Sequence, residues 1–314
     1  MRARTRDTGA LLAALGSILC FGSTPVFLRA FIHDLDSWTV NGLRYTVGAL
    51  FWLPFVVVFL RDAQSHSRVR PRHGVWKSAL VPALVNTLGQ IAWAAAPYYL
   101  EANTIGFVYK MNFFFTILFG VLFIREERPV VKDPWFLAGT AVCIAGVVAM
   151  FVQNLHAGGA RSAVGMAILL ASTVLSGAYA VCVRQFMAGY PARLSFGVIS
   201  LYTAGSLLVL MFAVGDYGAV RSFPVSLWPV LVLSAITGIA FAHVLFYRAI
   251  QGLGAIVSTG LQMSTPFVTL LGATVFLSER LTFLQSVGGV LVVAGGFMLV
   301  LAQSHLRPQG RLLR

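Results

Sequence analysis

The sequence predicts an all-α integral membrane protein of ten transmembrane helices, arranged as two inverted five-helix repeats. Three observations predict it. Hydrophobic residues make up 58% of the 314 residues and charged ones 11%, whereas a soluble domain carries about 25% charged residues; the solvent of such a chain is lipid. The chain also divides into ten apolar stretches, each near the roughly 20 residues that a helix needs to cross a bilayer. Finally, residues 111–128 and 263–280 are weak copies of one another: Met111, Phe115, Leu118, Gly120, Glu127 and Arg128 match Met263, Phe267, Leu270, Gly272, Glu279 and Arg280 at one fixed offset. Internal self-similarity of this kind marks a chain built from two related halves, here 1–155 and 156–314.

The stretches are helices because backbone groups in hydrocarbon must be satisfied within the segment. The first, about 8–29, follows Arg2, Arg4 and Arg6. A signal peptide would have a shorter run and a small-residue cleavage site, so this is read as an uncleaved first span. The next four run over about 38–60, 78–99, 102–124 and 134–153. The second half repeats the count, over about 162–184, 194–214, 226–247, 254–277 and 282–303.

Loop charges set the orientation. Of the 23 Lys and Arg residues, only Arg29, Arg161, Arg221 and Arg280 lie in the loops opposite the termini, and Arg44 and Lys110 lie within spans. The rest fall on the side of the termini, which the positive-inside bias places in the cytoplasm, for a protein of the inner membrane. The same distribution accounts for the net charge of +13 without a basic face for nucleic acid. Five helices per repeat is an odd number, so the second half enters the membrane from the opposite side. Inverted halves of this kind surround a midplane site and can alternate its access.

The chain resembles the ten-helix drug/metabolite transporter superfamily, of the EamA type. Phe21-Gly22-Ser23-Thr24 and Leu43-Arg44-Tyr45 carry the resemblance in the first two helices. Thr265-Pro266-Phe267, Gly272 and Ser278-Glu279-Arg280-Leu281-Thr282 carry it near the end. Glycines spaced by seven, Gly139 with Gly146 and Gly288 with Gly295, fit as well. The resemblance covers about residues 8–303 and implies export of small metabolites, amino acids or drugs by a secondary mechanism. Phe114 departs from it, standing where the second repeat has Pro266, so a bend in the fourth helix does not follow by analogy.

Polar residues on single helix faces nominate a substrate site. Asn86, Gln90, Trp93 and Pro97 are spaced by four, three and four on the third helix and so share a face; amides facing lipid are costly, so this face turns to other helices or a cavity. Lys110, the one lysine within a span, is a functional candidate because intramembrane charges are expensive. It lies about 12 Å along its helix, farther than snorkelling spans. Gln262 is its repeat-related partner. His243 and Tyr247 in the eighth helix and Tyr179 in the sixth complete the substrate-binding set. Tyr109, Asn112 and Thr116 form a second stripe that points away from Lys110, so both sets cannot face one cavity squarely; Lys110 is preferred and Asn112 is read as a packing hydrogen-bonder. Arg44, near the outer end of the second helix, is read as an interfacial anchor or as bonded to loop carbonyls, Glu127-Arg128 and Glu279-Arg280 as helix-capping pairs, and the three cysteines as packing residues.

No phosphate-binding loop, zinc-spaced His/Cys set or nucleophile elbow occurs, so neither cofactor nor metal is expected and the chain is not read as an enzyme. The ten acidic residues all lie at helix ends or in loops, which leaves the expected cavity neutral to positive. The reading is a transporter that moves an amino acid or related carboxylate outward by alternating access. Its expected partners are a small-molecule substrate and the bilayer, with oligomeric state left open. Alternatives are a broad exporter of drugs and, from another class, a lipid-modifying membrane enzyme using His33 and Asp34.

Overall fold

The computed structural model describes residues 2–66, 74–253 and 255–306. The chain is helical nearly throughout because an apolar backbone has no other way to satisfy its amides in lipid. The helices are α1 (Arg2–Ala30), α2 (Ser37–His66), α3 (Val75–Ala95, closed by a 3-10 turn at Ala96–Tyr98) and α4, which is broken into Ala102–Val108 and Met111–Phe123. Then come α5 (Pro134–His156), α6 (Gly159–Phe186) and α7 (Ala192–Val214). The last three are α8, which runs through Trp228–Ala235, a π turn at Ile236–Phe241 and Ala242–Leu253; α9, broken into Ala255–Gln262 and Thr265–Leu277; and α10 (Phe283–Leu306). Among the described residues nine of these are long and apolar enough to cross a bilayer, and the tenth is the broken α9. No turn of irregular chain separates α5 from α6; the direction changes at Gly159, whose φ of 56° and ψ of −140° suit a residue without a Cβ.

Glycines set which helices touch. A Cβ at Gly146 would lie 2.6 Å from the Gly288 carbonyl oxygen, and one at Gly288 would lie 2.8 Å from the Gly146 oxygen. One turn-pair away, Gly139 and Gly295 meet reciprocally in the same manner, at 2.9 and 2.7 Å. The seven-residue glycine spacing thus reads out as a close α5–α10 seam, the packing of small residues that membrane helices use in place of a hydrophobic driving force. Cys143 fills this seam and donates to the Val292 carbonyl at 3.5 Å. Gly42 against Met211 and Gly197 against Val56 join α2 to α7. Gly22 against Val268 joins α1 to α9, and Gly177 against Phe115 joins α6 to α4. Gly16 against Leu245 joins α1 to α8, and Gly89 against Leu175 joins α3 to α6. Exchanging α1–α5 for α6–α10 maps this set of contacts onto itself, as an inverted repeat requires.

Apolar side chains such as Leu12, Leu50, Leu84, Leu137 and Leu271 face outward, where lipid is their partner. One set of polar interactions gathers at the helix ends. At the end remote from the termini, Glu279 accepts from the Ala102 and Asn103 amides at 3.0 and 3.2 Å, so it caps α4 as its position in the sequence suggests. Arg29 pairs with the same carboxylate at 3.6 Å and donates to the Pro97 carbonyl. The Tyr98 hydroxyl donates to the Leu35 carbonyl, and Arg161 reaches the Tyr98 carbonyl at 3.0 Å. The side chain of Glu127 lies outside the described residues.

Asp36 caps α2. It accepts from the Trp38 and Thr39 amides at 2.8 and 3.1 Å and from the Thr39 hydroxyl at 2.5 Å, and across the repeat from the Asp216 amide at 2.9 Å. Burial opposes its charge, but the bonds from Thr39, Asp216 and Trp38 outweigh it and hold the carboxyl below its ordinary 3.8. A depressed carboxylate stabilises fully above the unfolded value and loses that contribution as pH falls through the folded value. Asp36→Ala should cost about 1 kcal/mol, the usual worth of an N-cap. Melting curves in detergent should show that loss at neutral pH and a smaller one below pH of about 3.

Candidate functional site

The breaks in α4 and α9 make the site. In α4 the Lys110 amide donates to the Phe107 carbonyl at 3.1 Å, Asn112 to Tyr109 at 3.0 Å and Phe113 to Lys110 at 3.2 Å. These short-span bonds are a 3-10 turn, which tightens the helix and turns its next segment relative to the last. The turn is pinned from outside: the Tyr109 hydroxyl meets Ser176 Oγ at 2.7 Å and its ring lies 4.3 Å from Trp93. In α9 the same pattern recurs, with Ser264 donating to Leu261 at 3.0 Å and Phe267 to Ser264 at 3.1 Å. Pro266 sits in the first turn of the second segment, where its missing N–H costs nothing. Phe114 does not prevent the α4 break, so the proline is compatible with the break rather than its cause.

Around these breaks lies a cavity of about 400 Å³, within the range of small-molecule sites. It is lined from α1, α2, α3, α4, α6, α8 and α9. Of the residues nominated from sequence, Lys110, Gln262, Asn86, Gln90, Trp93, Tyr179 and His243 all line it. The Tyr247 side chain lies outside the described residues.

Their commitments differ. Gln262 is buried, with its amide nitrogen donating to Ser17 Oγ at 2.5 Å and its oxygen accepting from Thr265 Oγ1 at 2.9 Å. Asn86 donates to Thr203 Oγ1 at 3.0 Å, tying α3 to α7. His243 is held between Phe196, stacked at 4.5 Å, and the edge of Phe21 at 5.1 Å. Trp93, packed against Tyr109 at a tilt of 51°, gives the cavity an apolar wall. Lys110 is different: its ammonium makes no hydrogen bond or ion pair among the described residues.

Two expectations are corrected. Tyr109, Asn112 and Thr116 line the same cavity as Lys110, although on one continuous helix they would face away from it. The 3-10 turn at Tyr109-Lys110 re-aims them. Arg44 is not an interfacial anchor. It is 2% exposed, donates through Nε to Ser234 Oγ at 2.9 Å and through a terminal nitrogen to the Ser234 carbonyl at 3.2 Å, and lines the cavity. It lies seven residues, about 10 Å, from the helix start, but the bonds to Ser234 and the close approach of Gly238 hold its head against α8 and away from the surface. The signal that nominates Lys110, a charge within a span, applies equally to Arg44. No Asp or Glu occurs among the described lining residues, so the cavity carries two cations and no carboxylate. His33 and Asp34 do not line it, and among the described residues no His, Cys, Asp and Glu group could hold a metal.

A family model for the EamA-like transporter family matches residues 8–152 and again 163–301. A solved structure described only as "Crystal structure of protein" superposes with a TM-score of 0.61 at 18% identity, over 94% of this chain and 98% of that one. No curated protein matches the chain.

Proposed function

The chain belongs to the EamA-like transporter family, and on that premise we propose that it is a secondary transporter that exports an amino acid or related carboxylate. The single observation that carries this reading is the unpartnered ammonium of Lys110 at the α4 break, lining a cavity with no acidic residue among its described lining. A buried charge without a partner is costly, and a protein keeps one where a ligand supplies the counter-charge. Trp93 and Tyr179 form apolar walls for the body of the substrate, and Gln90 and Asn112 offer hydrogen bonds.

Alternating access follows from the inverted halves, 1–155 and 156–314, rocking about the cavity. The protein sits in the inner membrane with both termini in the cytoplasm. The network of Arg29, Glu279, Tyr98 and Asp36 then faces the other side and must part for release there.

Flux into proteoliposomes, measured for amino acids, organic acids and apolar drugs with and without a pH gradient, tests the reading. Carboxylates should be carried and should compete with one another. Flux confined to unrelated apolar drugs would replace this reading with the broad exporter. A lipid-modifying activity lost on changing His33 or Asp34, with no flux of any solute, would replace it with an enzyme.

A further inference from the structure

We propose that the transported substrate is doubly negative, with one carboxylate bound at Lys110 and a second at Arg44. This rests on the carboxylate reading above and narrows it. The argument is a charge balance. Interior charges are stable only when paired, yet two cations line one cavity and neither meets a carboxylate among the described residues.

Arg44 is not spent on its structural bonds. A guanidinium has five N–H donors, and the bonds to Ser234 use two of them. The terminal nitrogen that bonds Ser234 also lies close to Gly238, and Thr24 and Gly238 line the cavity together with Arg44. A Cβ at Gly238 would come 2.8 Å from Thr24 Oγ1 and 3.2 Å from the Arg44 terminal nitrogen, so only glycine lets the π turn of α8 approach the guanidinium this closely. Insertions of this kind into helices gather at functional sites. Ser234 holds the fork by its Nε side, and a planar fork fixed in this way can grip a carboxylate.

The two cations come from different elements, Arg44 from α2 and Lys110 from the α4 break, and Ser234 holds Arg44 while Lys110 makes no hydrogen bond or ion pair among the described residues. A zwitterionic amino acid fits this lining less well, since its ammonium finds no acidic side chain there.

The test is uptake of labelled succinate, succinamate, alanine and glycerol 3-phosphate into proteoliposomes of the full chain. Succinamate has the size of succinate and lacks one charge, so the comparison needs no variant. Succinate should exceed succinamate about tenfold, the worth of one charge-assisted contact. Arg44→Gln should bring the ratio to about one, and Arg44→Lys should restore part of it. Equal uptake of succinate and succinamate, both lost in Lys110→Ala, would overturn the second charge and leave the carboxylate reading standing. Preference for glycerol 3-phosphate over succinate would overturn the pair of carboxylates. Uptake of none of the four would sink the carboxylate reading and this one together.

Discussion

Lys110→Ala should lower carboxylate flux by roughly 10- to 100-fold, the worth of a hydrogen bond to a charged group at 1.5–3 kcal/mol. The same variant should melt no lower than the parent. In the absence of substrate the ammonium makes no hydrogen bond or ion pair among the described residues, so removing it relieves a desolvation cost without breaking a contact. Activity and stability should therefore move apart, as they do where a site holds a strained or uncompensated group. Lys110→Arg should keep a substantial part of the flux, since the charge remains. Proteoliposome flux set beside detergent melting curves checks both halves. A variant that transports normally refutes charge recognition at Lys110. One that melts lower, with flux reduced only in proportion to folded protein, makes the lysine structural.

The second large effect is on assembly. Gly146→Val should prevent the halves from closing. Even the Cβ would lie 2.6 Å from the Gly288 oxygen and 2.8 Å from the Val292 nitrogen. Both are backbone atoms, and backbone in a packed helix pair has nowhere to yield. Overpacking costs about 1–3 kcal/mol where side chains can adjust, and more is expected where only a shift of α10 makes room. Gly288→Val meets the mirror contact, 2.8 Å from the Gly146 oxygen, and should fail alike. Gly205 in α7 has no atom within 4 Å of an added Cβ, so Gly205→Ala is the matched control and should be silent. The readout is the monodisperse fraction on size exclusion and the melting temperature in detergent. A well-folded Gly146→Val variant would show that the α5–α10 seam does not hold the repeats together.

Much of this protein is legible in its residues because lipid imposes so few choices. Span length, loop charge and an odd-numbered repeat lead directly to ten helices in two inverted halves. Seven-residue glycine spacing, visible in the chain, became the α5–α10 seam. Of the eight residues nominated for the site, the seven with described side chains line one cavity, since most are polar where lipid would penalise them. Arg44 departs from the sequence expectation for a physical reason. A position within seven residues of a helix end is compatible with snorkelling, and only the packing of Ser234 and Gly238 against it shows that the head cannot leave. Helical periodicity assumes an unbroken helix, and so it turns Tyr109, Asn112 and Thr116 away from Lys110.

Periodicity, charge and apolar length are properties of neighbours along the chain, so the sequence alone determined the helices, their number and their opposed halves. Where helix four turns, and which polar faces that turn unites, depends on groups far away in sequence, such as Ser176 and Trp93 against Tyr109. Short-span hydrogen bonds replace the regular ladder at little cost once those contacts are made, and so tertiary packing decides the shape of the cavity.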